Sequence, residues 1–191
     1  MNVLREKFGW TRPDARAFAK VSNLYVASKR QFHKVMQKSV QKQRSGVVSI
    51  LDVGSGMGSE TKKIASVLNV EHINVVTLES SKPLQKTLES EGFTVGDSIP
   101  HETKFSLVSL LNVLDRTEDP HALVESALEA LVPGGTLLVG AVLPFQDIIE
   151  EPWGKWSKPK KRLEIRRKKK ASFEVGTYYF LEVRSDEERN D

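Results

Sequence analysis

Four acids and three glycines are the residues whose types and spacing suggest chemistry. Asp52 closes an apolar run and is followed by Gly54, Gly56 and Gly58 at alternate positions. Glu79 ends the next apolar run, Asp97 follows a glycine after a third, and Asp115 lies beyond a fourth, close behind Asn112. Glycines directly after a strand let the backbone approach a ligand where a Cβ would clash. A carboxylate about 20 residues further on stands where it can accept from both hydroxyls of a ribose. The dinucleotide fingerprint Gly-x-Gly-x-x-Gly needs glycine at position 59, where the chain has Ser59. The Lys-Ser/Thr pair of a phosphate-cradling loop is also missing. A glycine triplet alone fits a plain tight turn, and Glu79 alone fits a strand-end acid. Their common register with the surrounding elements makes them a binding-site candidate.

Those elements alternate. Residues 46–53, "GVVSILDV", form a short β-branched run that predicts a buried strand. "SETKKIASVLNV" has helical spacing through Ile64, Val67 and Leu68. "HINVVTLE" predicts a second strand, "KPLQKTLESEG" a helix stopped by Gly92, "FTV" a third strand and "KFSLVSLLNVL" a fourth. "DPHALVESALEALVPGG" predicts a helix with Asp119 as N-cap, Pro120 in its first turn and Gly134 past its end. "TLLVGAVLPF" is the fifth strand, and "ASFEVGTYYFLEV" supplies one or two closing strands. Ahead of this core, residues 13–43 predict helix, with Ser28 capping a second segment. Continuously apolar strands alternating with helices imply a mostly parallel sheet covered on both faces.

Composition narrows the function classes. The chain has 191 residues, 39% hydrophobic and 28% charged, which fits one soluble domain with a real core. It has no cysteine, which excludes disulfides, thiolate zinc sites and a thiol nucleophile. His33, His72, His101 and His121 are scattered without metal-ligand spacing. Arg5, Glu6 and Lys7 interrupt any secretory signal, and no apolar run reaches the roughly 20 residues of a membrane span. The expectation is a soluble intracellular protein, cytoplasmic or nuclear, with no membrane partner. The net charge of +4 is concentrated: residues 155–170 are strongly basic with Glu164 as their one acid, while "SDEERND" is acidic.

Asp52-x-Gly54-x-Gly56-x-Gly58 after a first strand resembles motif I of the class I methyltransferases, which bind S-adenosylmethionine. The resemblance implies a Rossmann-like α/β fold. It also implies that Asp52, Gly54, Gly56, Gly58 and Glu79 hold the cofactor, with Asp97 as a polar contact to the adenine.

A longer stretch, "LLNVLDRTEDPHALVESALEALVPGGTLLVGAVLPFQDIIE", resembles the DREV family, also called methyltransferase-like protein nine. The resemblance rests on Asn112-Val113-Leu114-Asp115-Arg116, on Leu143-Pro144-Phe145, on "WGKWSKPKKRLEI" and, upstream, on "LYVASKRQFHKVM". It implies a protein-histidine methyltransferase acting on His-x-His motifs in a protein or peptide partner. A carboxylate that accepts an imidazole N–H fixes the tautomer and stabilises the cation formed on methylation. Asp115 is the candidate for that role, and Asn112 the candidate for positioning substrate or the cofactor's amino-acid end.

The chain departs from the family's pattern in two places. Met57 stands where the family has an acid, and after Ile165 the chain runs from "RRKKK" almost directly into its closing strands. The expected organisation is therefore an N-terminal helical segment capping the cofactor site (1–45), a cofactor-binding core (46–150), a basic loop (151–171) and closing strands with an acidic tail (172–191). The C-terminal part of the fold is expected to be incomplete, with weakened cofactor binding or slow turnover. Two alternatives stay open at this point: an RNA methyltransferase that uses the basic run as a clamp, and an inactive methyltransferase-like binding module. Tyr178 and Tyr179 are read as core residues of the closing strand rather than substrate contacts.

Overall fold

The apolar runs become strands and the periodic segments become helices, in the predicted order. The computed structural model describes residues 9–19, 25–36, 47–68, 70, 72–142, 145–146, 148–151, 153, 155–163, 174–175 and 178–184. Strands β1 (Val47–Val53), β2 (His72–Leu78), β3 (Thr94–Gly96), β4 (Phe105–Leu111) and β5 (Leu131–Val142) are joined by helices. Helices α1 (Arg12–Ala19) and α2 (Lys29–Met36) precede the sheet, α3 (Ser59–Val67) follows β1, α4 (Lys82–Ser90) follows β2, and α5 (Pro120–Glu129) leads into β5. A short hairpin of β6 (Ile149–Glu150) and β7 (Trp156–Ser157) is separate from the main sheet. The closing hairpin is β8 (Glu174–Val175) and β9 (Tyr178–Arg184).

The main sheet has seven strands in the order β3-β2-β1-β4-β5-β9-β8. The first five are parallel, and β9 runs antiparallel to β5, pairing Ala141 with Tyr179 and Val142 with Tyr178. From β1 the chain winds one way to β2 and β3, then crosses back to β4 and β5. This reversal opens a crevice above the carboxyl ends of β1 and β4, the place where such sheets bind ligands.

Side-chain alternation along β1 divides the core between the two faces. Val48 and Ile50 pack with Phe32, Met36 and Ile64 under α2 and α3, whereas Leu51 packs with Val108, Leu110, Ala127 and Leu137 under α5. Strand β4 is buried along its whole length, so it lies at the middle of the molecule. Burial of each such Leu or Ile contributes about 1.5–3 kcal/mol.

One sequence expectation, the end of α5, is corrected here, and two others can be placed in detail. Among the described residues of 13–43 there are two helices, the second restarting at Ser28 as the sequence implied, and residues 25–28 are not helical. The break has a chemical cause, because Ser28 and Gln31 form a reciprocal cap. Ser28 N–H donates to Gln31 Oε1 at 2.8 Å, and Gln31 N–H donates to Ser28 Oγ at 3.3 Å. Helix α5 stops at Glu129, earlier than its apolar spacing implied. Leu131 already pairs with Phe105, and the strand bulges through Pro133, which lacks an N–H, and Gly134 at φ 71°. The closing segment forms two strands, within the one or two expected, which join the seven-stranded sheet, and no helix lies among the described residues between β5 and β8. Leu143, Pro144 and the basic residues 164–170 lie outside the described residues, as do the side chains of Tyr178 and Tyr179.

Candidate functional site

The loop after β1 is tied to the end of β2. Gly54 N–H and Ser55 N–H both donate to Leu78 O, at 2.8 and 3.2 Å, and Gly58 N–H closes the turn on Ser55 O at 2.9 Å. All three glycines are left-handed, with φ of 70°, 58° and 75°. A Cβ on Gly54 would stand 2.2 Å from Val113 Cγ1, and one on Gly58 would stand 2.8 Å from Phe93 Cε2. The spacing therefore has three different causes. Gly54 lets β1's loop pass the turn after β4, Gly56 faces Glu79, and Gly58 packs on α4's exit.

Glu79 meets the glycine bend directly. Its Oε2 accepts from Gly56 N–H at 2.9 Å and its Oε1 accepts from Ser81 N–H at 3.0 Å. Oε1 also accepts from Ser80 Oγ at 3.4 Å, so the carboxylate is fixed at the crevice edge while Oε2 keeps a further lone pair for a ligand hydroxyl. Next to it, Gln85 Nε2 donates to Glu79 O at 2.5 Å and to Asp97 Oδ1 at 3.4 Å, and Lys82 Nζ sits 3.3 Å from the same Asp97 oxygen.

Asp52 is buried beneath the loop. Ser109 Oγ donates to its Oδ1 at 2.5 Å, and Thr61 Oγ1 donates to its Oδ2. Burial pushes its carboxyl up from 3.8 to about 6; the two hydroxyls oppose that shift, and the charges of Glu60 and Glu79 add to it. Asp52 thus ties β1, β4 and α3 together under the crevice.

A cavity of about 640 Å³ opens above these groups. Its wall includes Asp52, Gly54, Gly56, Glu79, Asp97 and Asn112, six of the eight residues singled out in the sequence. Gly58 is not in the wall; it is a packing glycine. Asp115 is not in it either. Its carboxylate faces Arg116, which donates to Oδ1 through Nε and to Oδ2 through Nη2, each at 3.2 Å, and Arg116 does line the cavity. Both sit on the short 3₁₀ turn Leu114–Arg116, and Ile148 N–H donates to Asp115 O at 2.8 Å, which docks the β6–β7 hairpin there. Pro13 and Val26, from the N-terminal segment, close another side of the cavity. Ser81 Oγ donates to Asp14 Oδ1 at 2.6 Å and so links α1 to the start of α4.

Two wall residues carry buried side-chain oxygens with no hydrogen-bond partner: Asn112 Oδ1 and Glu60 Oε2. Asn112 has φ 57°, a left-handed conformation that costs a non-glycine residue energy, and its N–H is held by Gly140 O at 2.8 Å. Sequence reading did not single out Glu60. Its position in the first turn of α3 reads as a helix-dipole acid, and only the tertiary structure turns it inward.

A doubly wound sheet of this order, with an acid-and-glycine bend at the switch point, defines a Rossmann-like class I methyltransferase fold. Solved structures share that fold. The plantazolicin methyltransferase BpumL, in complex with a triazolic desmethylPZN analog and SAH, superposes with a TM-score of 0.55 at 16% identity, over 74% of this chain and 58% of that one. The CurJ carbon methyltransferase gives 0.51 at 18% identity, over 60% of this chain and 35% of that one. The CMeT domain of the citrinin polyketide synthase gives 0.51 at 19% identity, over 60% and 34%. The chain thus spans between a third and three-fifths of the length of these proteins. Within that fold, the chain belongs to the DREV methyltransferase family, whose model matches residues 3–186. The match reaches further at both ends than the sequence motifs that pointed to it.

No helix among the described residues is long and apolar enough to cross a membrane. No group of three or more His, Asp or Glu among them is arranged to hold a metal ion.

Proposed function

We propose that this chain is an S-adenosylmethionine-dependent methyltransferase whose acceptor is a histidine side chain in a protein or peptide. The observation that carries the cofactor reading is Glu79 bound to the glycine bend through Gly56 N–H at 2.9 Å, at the edge of a cavity large enough for a nucleoside with an amino-acid arm. The residues present fit that ligand. Glu79 offers a fixed carboxylate to the ribose hydroxyls, Gly54 and Gly56 leave the bend free of side chains, and Asp97 with Gln85 lines the same cavity as partners for the base. Asn112 Oδ1, buried without a partner, fits a ligand N–H.

The cofactor supplies a methyl group on a positively charged sulfur, transferred in line to a nucleophile. The protein's work is then to position the acceptor and exclude water. A neutral imidazole attacks through the nitrogen that bears no proton. Asp115, beside the cavity rim, accepts the N–H of the other ring nitrogen, turns the lone pair inward and stabilises the imidazolium as it forms. Arg116 holds that carboxylate by both oxygens, so the acceptor is oriented before substrate arrives. Support for histidine over other acceptors comes from the Asn112–Arg116 motif and from family membership.

The test is transfer of labelled methyl from S-adenosylmethionine to a His-x-His peptide, with mass spectrometry locating the modified residue. The reading expects methylhistidine, with turnover lost in Asp115→Ala and cofactor affinity kept. Label on a residue other than histidine would refute the acceptor assignment.

A further inference from the structure

The cavity wall and the chain beside it carry opposite charge. Asp52, Glu60, Glu79 and Asp97 stand in the wall against Lys82 and Arg116. Outside it, residues 148–170 hold ten Lys or Arg against Glu150, Glu151 and Glu164. The described part of this stretch is fastened to the turn that carries Asp115. Ile148 N–H donates to Asp115 O at 2.8 Å, and Lys161 N–H donates to Glu118 O at 3.3 Å. Lys160 Nζ and Lys161 Nζ are committed to Glu118 and Asp119, at 2.5 and 2.6 Å. Lys155 and Lys158 are exposed and have no acid partner among the described residues.

The same hairpin displays apolar surface. Ile148, Trp153 and Trp156 are 42%, 57% and 47% exposed. They are three of the seven large apolar side chains exposed among the described residues, and they fall within nine positions. Trp153 has φ 64°, a left-handed conformation that a bulky residue adopts only at a cost. Gly9 lies against its ring, since a Cβ there would stand 2.9 Å from Trp153 Cε2 and Cζ2. Strain at an indole that stays more than half exposed gains little burial in return, which points to a contact with another molecule.

We propose that the β6–β7 hairpin is the docking platform for the acceptor protein and binds an acidic segment of it beside the residue to be methylated. Trp153 and Trp156 supply contact area, and Lys155 and Lys158 supply charge. The proposal rests on the histidine reading above and deepens it. The acceptor side chain enters the acid-rich cavity, and its acidic flank lies outward along the hairpin. Complementarity of this kind fixes register and speeds encounter. A nucleic acid does not match the layout, because a phosphate at every nucleotide brings negative charge to the acid-rich wall as well.

The test is binding, with methyl transfer read separately. Fluorescence anisotropy compares labelled His-x-His peptides carrying an Asp/Glu run on either side with the same peptides carrying Ser and Gly there. The full chain is expected to bind the better acidic peptide about fivefold more tightly at low salt, as two exposed ion pairs would give. That preference is expected to fade at high salt. Lys155→Glu combined with Lys158→Glu is expected to reverse it while urea stability is kept. Trp153→Gly relieves the φ strain, so it is expected to keep urea stability yet weaken acidic and neutral peptides alike. Equal affinity for both flanks, or a preference that survives the charge reversal, would overturn the proposal. Displacement of the acidic peptide by an equal concentration of single-stranded RNA would overturn it too, since that marks a nucleic-acid surface. Failure of methyl transfer with the flank preference intact would refute the histidine reading and leave the platform standing.

Discussion

Asp52 makes the sharpest quantitative prediction because its ionisation opposes folding. Its carboxyl titrates near 3.8 in an unfolded chain and at about 6 in the folded protein, chiefly through burial. That displacement corresponds to about 3 kcal/mol. Below pH 3.8 both states hold the proton and nothing is lost. As pH rises, the unfolded chain releases its proton first, so unfolding gains ground until the folded form ionises too. Above about 6 the full cost is present. Asp52→Asn cannot ionise. It changes the bonds to Ser109 and Thr61 by an amount that does not depend on pH. The assay is urea denaturation of both proteins at pH 4 and pH 7.5, with the difference taken between variant and parent. Relative to the parent, Asp52→Asn is expected to gain about 2.4 kcal/mol between these two conditions, since the unfolded carboxyl is already half ionised at pH 4. A difference that stays within about 1 kcal/mol across the window would refute the buried-acid account. It would mean that Ser109 and Thr61 fully compensate the ionised form.

Further tests follow from the same geometry. Gly54→Ala places a methyl 2.2 Å from Val113 Cγ1 at φ 70°, so S-adenosylmethionine binding by calorimetry should fall at least tenfold; adding Val113→Ala should recover part of it, since only the steric half is relieved. Asn112→Gly removes left-handed strain at φ 57°, so urea denaturation should show a gain of up to about 1 kcal/mol together with weaker ligand binding. Glu79→Gln must turn its amide NH₂ toward either Gly56 N–H or Ser81 N–H; the unpaired donor should cost about 1–3 kcal/mol in denaturation, and ligand affinity should fall with it.

The scaffold was legible in the chain because parallel strands and their helices follow repeating patterns. Val48, Ile50 and Leu51 announce a two-faced buried strand, and Asp119 announces the start of α5, where its Oδ1 accepts Ala122 N–H at 3.0 Å. Glu79 was legible for a related reason: strand and loop lengths fix how far a strand-end acid lies from the glycine bend. What the pattern hides is direction. Asp52 and Glu60 are acids on either side of the glycine bend, yet one ties three elements together and the other carries a buried oxygen without a partner. Nothing in the local sequence separates them, because the difference comes from Ser109 on β4 and from Lys63 turning back to Ala27. The same holds for Asp115, whose motif suggests a free carboxylate while the 3₁₀ turn folds Arg116 onto it.

The glycines carry this argument furthest. Gly54 and the Asn112–Arg116 motif read as two independent signals in the sequence. In the structure they are one contact, since Val113 occupies the space that any Cβ on Gly54 would need. A strand-four residue thus helps decide what the strand-one bend must be. Substitutions at Gly54 and Val113 should then couple non-additively. The contact also places the candidate acceptor-binding turn directly against the candidate cofactor loop, the arrangement that in-line transfer between two bound partners requires.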